Sequence, residues 1–256
     1  FTHFYNAARC WSTRASLLTG LYPHQVGLGD GLAQRGGSSE PGPGQGYLGR
    51  NGITIAEALA AAGYHTYMSG KWHVGEDPER WPRERGFDRY FGLISGASSY
   101  FEIISDQPRV RQMALNDDPW TPPDEGFYMT DAISDYAVRW IDEHDSNHDQ
   151  SPFFLYVPYT APHWPLHALP EDIATYEGVY DVGWDSLRVL RHDRLIQMGL
   201  IQADTKLSDR TPGIPEWSEV DDKDEWTRRM QVYAAMVDRM DQGIGSILDA
   251  LRMRGL

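Results

Sequence analysis

Thr54-Ile55-Ala56-Glu57-Ala58-Leu59-Ala60-Ala61-Ala62-Gly63-Tyr64-His65-Thr66-Tyr67-Met68-Ser69 is the stretch that decides the fold class. The alanine- and leucine-rich run after Thr54 predicts a helix, Gly63 marks its stop, and the β-favouring residues from Tyr64 to Ser69 predict a strand. A second unit repeats the pattern downstream. Ile133, Tyr136, Ala137, Trp140 and Ile141 fall on one helical stripe, and Phe153-Phe154-Leu155-Tyr156-Val157 follows as a continuous apolar run. A strand of that kind is buried on both faces. Helix-then-strand units in succession predict an α/β fold with a mostly parallel or mixed central sheet and helices on both faces.

Working outward, Ser12 or Thr13 is expected to cap a short helix through Ala15, Leu17 and Leu18 that stops at Gly20. The Gly-, Pro- and Ser-rich run from Gly36 to Gly49 has no apolar period and reads as a loop. From Gly178 to Glu225 the sequence is polar, with a short helix hinted by Trp184, Leu187, Leu190 and Leu195 and a solvated charge run beginning at Asp221. Val232, Met236, Met240, Ile244, Ile247 and Leu251 then keep helical spacing, and the two methionines read as packing residues.

The bulk numbers bound the function. A chain of 256 residues, 41% hydrophobic, can form one large domain or a substantial piece of one. A net charge of −14 excludes a broad nucleic-acid or anionic-membrane surface, so any anion site must be local. One cysteine excludes an internal disulfide and a cysteine-based zinc site. No run approaches the roughly 20 apolar residues of a membrane span. Phe1 in place of Met, and a helical pattern that ends at Gly255 with no following strand, predict further chain on both sides.

Three polar constellations stand where ligands are expected. Cys10 and Arg14 are four residues apart at a helix start, one turn from each other, where unpaired N–H groups favour an anion. Gly70-Lys71-Trp72-His73 directly follows the Tyr64–Ser69 strand, and period-two geometry would turn Lys71 and His73 to one side. Ala161-Pro162-His163 comes a few residues after the Phe153 strand. Both of the latter follow carboxyl ends of strands, where open α/β sheets bind their ligands. A zinc pair of His163 and His167 is rejected because Pro162 and Pro165 forbid the helix it would need. Trp72, Trp164 and Trp184 are read as core residues rather than sugar platforms.

Read together, Cys10 to Gly20, Gly63 to His73 and Tyr159-Thr160-Ala161-Pro162-His163 resemble, in order, the signatures of the sulfatase family in the alkaline phosphatase-like superfamily. The resemblance spans nearly the whole chain. It implies a single catalytic domain of which residues 1–256 are the central part, and hydrolysis of sulfate monoesters. It implies that a formylglycine-generating maturation enzyme oxidises Cys10 to the formylglycine nucleophile. Arg14 would stabilise that group, Lys71 would bind it and the sulfate, His73 would take a hydroxyl proton, and His163 would bind sulfate or protonate the leaving oxygen. It further implies calcium, or magnesium in its place, held by the modified Cys10 together with carboxylate and Asn ligands outside this chain, so that these 256 residues alone would be inactive. The substrate would be a sulfated small molecule or glycan, and the location periplasmic or secreted.

Position 12 departs from the pattern, being Ser where the family usually has Pro or sometimes Ala. That departure, with the family's carboxylate metal ligands not found in this chain, keeps a non-catalytic binder of anions or sulfated glycans in play; the enzymatic rival is a phosphonate or phosphate monoester hydrolase with the same nucleophile.

Overall fold

A computed structural model describes residues 5–31, 42–106, 109–146 and 151–256. The expected loop from Gly36 to Gly49 lies partly outside them. Two compact units make up the chain: Asn6–Pro165 with Arg239–Leu256, and a second containing Leu166–Asp238.

The first unit is built on a five-stranded mixed sheet. Its strands are β1 (His65–Ser69), β2 (Arg89–Leu93), β5 (Met113–Leu115), β6 (Asp118–Trp120) and β7 (Phe153–Tyr156), and a separate two-residue hairpin holds β3 (Ser105–Asp106) and β4 (Arg109–Val110). The order is β6-β5-β2-β1-β7. β1 runs parallel to both neighbours, pairing His65–Met68 with Phe153–Tyr156 and Tyr67–Ser69 with Arg89–Phe91. β5 and β6 complete an antiparallel edge.

Helices cover both faces, as the sequence predicts. Phe154 and Tyr156 pack on a core containing Ala15 and Leu18 of α1 (Cys10–Thr19), Ala56 of α2 (Ile55–Ala61) and Met68. Phe153, Leu155 and Val157 instead pack on Ala137 and Ile141 of α3 (Met129–Ser146) and on Ile247 and Ala250 of α6 (Lys223–Arg254). Successive residues of β7 thus bury on opposite sides, which is why its run is apolar throughout. α2 starts where Thr54 predicts: the Thr54 hydroxyl accepts from Glu57 N–H at 3.0 Å while Glu57 returns a carboxylate to Thr54 N–H at 2.7 Å. Arg239 of α6 grips Asp131 of α3 with two bonds of 2.7 Å.

The second unit contains α4 (Pro170–Ala174), α5 (Gly183–Gln197) and the first part of α6. Trp184 is half-buried and meets Trp217 and Trp226 edge-on at 4.7 and 6.0 Å, which gives it a packing role. Asp221 and Asp222 are exposed at the foot of α6.

Candidate active site

α1 begins at Cys10 itself, which corrects the expected cap. Arg9 precedes the helix in extended conformation without a side-chain cap, and Thr13 N–H closes the first turn on Arg9 O at 2.9 Å. Ser12 has a different partner: buried, it donates its hydroxyl to Leu28 O at 3.2 Å. Thr13 Oγ1 accepts from Ala7 N–H at 3.2 Å. Half-buried Cys10 therefore occupies the first helical position, among amides that lack helical acceptors and carry partial positive charge.

Arg14, one turn on, ties α1 to the sheet. Its Nη1 donates to Lys71 O at 2.5 Å, and the Tyr156 hydroxyl acts on its charge. Burial holds the guanidinium below the ordinary arginine value, with Tyr156, Cys10 and Tyr90 pulling it partly back. Burial likewise pushes the Tyr156 and Tyr90 hydroxyls up, against the opposing pull of Arg14. A buried cation whose neighbours are mostly hydroxyls and a carbonyl is a strong attractor for a ligand anion.

Lys71 and His73 leave the sheet differently from the period-two expectation. Strand geometry ends at Ser69, and His73 has a left-handed backbone at φ 56°. Ladder-like bonds nevertheless continue on both sides: Gly70 N–H to Phe91 O and Lys71 N–H to Pro158 O at 2.8 Å, then Trp72 to Leu93 O and His73 to Ile94 O at 2.8 and 3.0 Å. Gly70 is required here, since at its φ of 141° a β-carbon would lie 2.3 Å from Pro158 O. Both Lys71 and His73 are buried, and the Trp11 ring stands edge-on to the His73 imidazole at 5.9 Å.

His163 stands beyond β7, on the same sheet edge because β1 and β7 are parallel. Its N–H bonds Thr160 O and its carbonyl accepts from Tyr100 Oη, both at 3.0 Å. Nδ1 lies 2.5 Å from Trp164 O, and a carbonyl can only accept, so Nδ1 carries a proton and Nε2 of the neutral ring is an acceptor. Burial, then the charges of Lys71 and Arg14, hold its pKa below 6.5, against the Trp164 carbonyl. The bond from Arg14 to Lys71 O joins the start of α1 to the 70–73 segment, and the Trp11 ring of α1 meets His73.

Sequence reasoning missed Tyr156, Tyr90, Tyr100 and Trp11 as supports of this cluster. A buried arginine needs acceptors, and Tyr156 stands in the quoted apolar strand, so that one had a signal; the others had none. Trp164 also departs from expectation: it is 73% exposed, beside His163, while Trp72 is core at 1%.

The donor set around Cys10 is cationic and does not fit a calcium ion, which takes six to eight oxygens, largely from carboxylates. Among the described residues no group of three or more His, Cys, Asp or Glu side chains is arranged to hold a metal.

A half-buried cysteine at a helix N-terminus, with Arg14 of the same helix bonded to the chain just past the carboxyl end of β1, is the kind of place where α/β proteins receive a small oxyanion. The Sulfatase family model matches residues 1–256, and the chain belongs to that family. It is 35% identical to an uncharacterized sulfatase of Schizosaccharomyces pombe, over 99% of this chain and 48% of that protein. It is 32% identical to an arylsulfatase of Klebsiella aerogenes, over 99% of this chain and 55% of the relative. The chain thus spans about half the length of the curated relatives it matches. Among solved structures, Ps i-CgsB superposes with a TM-score of 0.66 at 26% identity, covering 96% of this chain and 45% of that one, and is also known in complex with k-i-k-neocarrahexaose. The fold is that of the alkaline phosphatase-like sulfatases. Among the described residues no helix is long and apolar enough to cross a membrane.

Proposed function

We propose that the complete protein hydrolyses sulfate monoesters to an alcohol and inorganic sulfate, with the two units as parts of one catalytic domain. The observation that carries this reading is the hydrogen bond from Arg14 to Lys71 O, which ties the helix that begins at Cys10 to the segment carrying Lys71 and His73. Converted to formylglycine by a maturation enzyme, Cys10 supplies a hydrated aldehyde, one hydroxyl of which displaces the alcohol while the second allows sulfate to leave.

The chain's own groups do the rest. Arg14 and Lys71 neutralise charge that spreads over the sulfate oxygens during displacement, from positions already fixed before substrate arrives. His73, buried and edged by Trp11, takes the proton from the second hydroxyl. His163 Nε2 is an acceptor in the neutral ring, so it must gain a proton before it can donate to the leaving oxygen; a bound sulfate offsets the repulsion from Lys71 and Arg14 and favours that proton. The exposed Trp164 face offers a platform for the ring of an aryl or sugar alcohol, in keeping with the arylsulfatase relatives. Calcium belongs to this reading only with carboxylates from outside the described residues. A periplasmic or secreted location is part of the same reading.

The test is the mass of the Cys10 peptide after co-expression with a maturation enzyme, followed by turnover of aryl sulfate and aryl phosphate by the full-length protein. Conversion with sulfate preferred supports the reading. A strong phosphate preference replaces it with a phosphate or phosphonate hydrolase, and unchanged cysteine replaces it with a non-catalytic anion binder.

A further inference from the structure

His73 is buried with a backbone that a residue bearing a side chain adopts only when its surroundings impose it. One neighbour of its ring is Trp11, edge-on at 85°. A second is Gly96. A β-carbon built on Gly96 would lie 2.1 Å from His73 Nε2, 2.4 Å from Cε1 and 2.8 Å from Cδ2, and these three imidazole atoms are its nearest contacts. The two segments are joined by the bond from His73 N–H to Ile94 O.

Other glycines nearby have backbone reasons. Gly70 and Gly92 have φ of 141° and 145°. Gly96 is not in the left-handed region, so a positive φ does not account for the glycine. What remains is the space that its missing side chain leaves for the imidazole.

We infer that Gly96 is a positioning residue, the seat that fixes where His73 Nε2 points. A single methyl at 96 displaces the ring, because the nearest atoms in the way all belong to the His73 imidazole. The inference rests on the reading of His73 as the proton carrier beside Cys10.

The experiment uses the full-length matured protein as wild type, Gly96→Ala, His73→Ala and the double variant, with aryl sulfate as substrate and thermal melting as the folding control. Gly96→Ala is expected to lower kcat about 100-fold, the scale of a misplacement near 1 Å, with KM nearly unchanged and the protein still folded, its melting temperature lowered by the crowding of a buried ring. In the His73→Ala background it should cost nothing further, since a group acting only through His73 is silent once His73 is gone. Undiminished kcat in Gly96→Ala, or losses that multiply in the double variant, would overturn the inference. A fully active His73→Ala would instead sink the role given to His73. In that case the seat is judged by the His73 imidazole resonances: a displaced signal in Gly96→Ala upholds it, and an unchanged one removes it.

Discussion

The Arg14 guanidinium donates to the backbone carbonyl of Lys71, so one side chain of α1 fixes the stretch of chain on which a second cation stands. A lysine at 14 keeps the charge but loses the planar fork that reaches the carbonyl. Arg14→Lys is expected to lower turnover by about 100-fold or more, the scale of losing one preorganised donor. Arg14→Ala should in addition leave buried acceptors unpaired and cost roughly 1–3 kcal/mol, read as a lower melting temperature.

Ser12 can be exchanged for proline without loss of a helical bond, because α1 makes its first backbone bond from Thr13 N–H. Ser12→Pro forfeits only the hydroxyl bond to Leu28 O, about 1 kcal/mol. Mass spectrometry of the Cys10 peptide should then show a larger converted fraction than wild type; an equal or smaller one means that Ser12 does not limit maturation.

His163 titrates below 6.5 in the free protein because of burial and the Lys71 and Arg14 charges. An anion bound between these groups favours the protonated ring, so it raises the pKa and, by linkage, binds more tightly as pH falls through the bound-state pKa towards the free one. Sulfate affinity measured by calorimetry should strengthen over that window in wild type and lose the dependence in His163→Gln.

Two glycines of α6 should respond to alanine with opposite signs. At Gly243 a β-carbon would meet Ser134 Oγ at 2.1 Å and Tyr159 Oη at 2.9 Å, where those two hydroxyls bond each other at 2.7 Å. Gly243→Ala should lose about 1–3 kcal/mol by overpacking despite better helix propensity. Gly245 has nothing within 4 Å among the described residues, and Gly245→Ala should gain up to about 1 kcal/mol. Denaturant melts decide both.

Trp164→Ala is expected to raise KM for aryl sulfates severalfold, by loss of about 1 kcal/mol of ring contact, while leaving the KM of a sulfate ester of a short open-chain alcohol unchanged. Equal effects on both esters would remove the platform role.

The two helix–strand units were legible because their signals are local: Thr54 as cap, the β7 run as a doubly buried strand. β2 was not, since Gly92 interrupts its β-favouring residues and its place is set by pairing with Tyr67–Ser69, a contact between distant residues. The start of α1 was misread for a physical reason: Ser12 has a cap-forming side chain, but its hydroxyl is drawn to Leu28 O. Cys10, Arg14, Lys71, His73 and His163 are singled out by the resemblance of their stretches to family signatures, since type and spacing alone favour ordinary structural roles for most of them. The left-handed turn at His73 could not be read, because the tertiary environment imposes it against local preference.

The parallel pairing of β1 with β7 has a consequence for how such a protein diversifies. Four registered residue pairs hold the departure points of the 70–73 and 157–163 segments side by side. The stretch from Gly75 to Pro152 returns to that region where β2 pairs with β1, where Leu93 O and Ile94 O accept from Trp72 and His73, and where Tyr100 bonds His163 O, so only its turns away from those residues are free to vary. Under the proposed function, insertions and replacements in those turns would change which alcohol is accepted while the residues assigned to the sulfate keep their places.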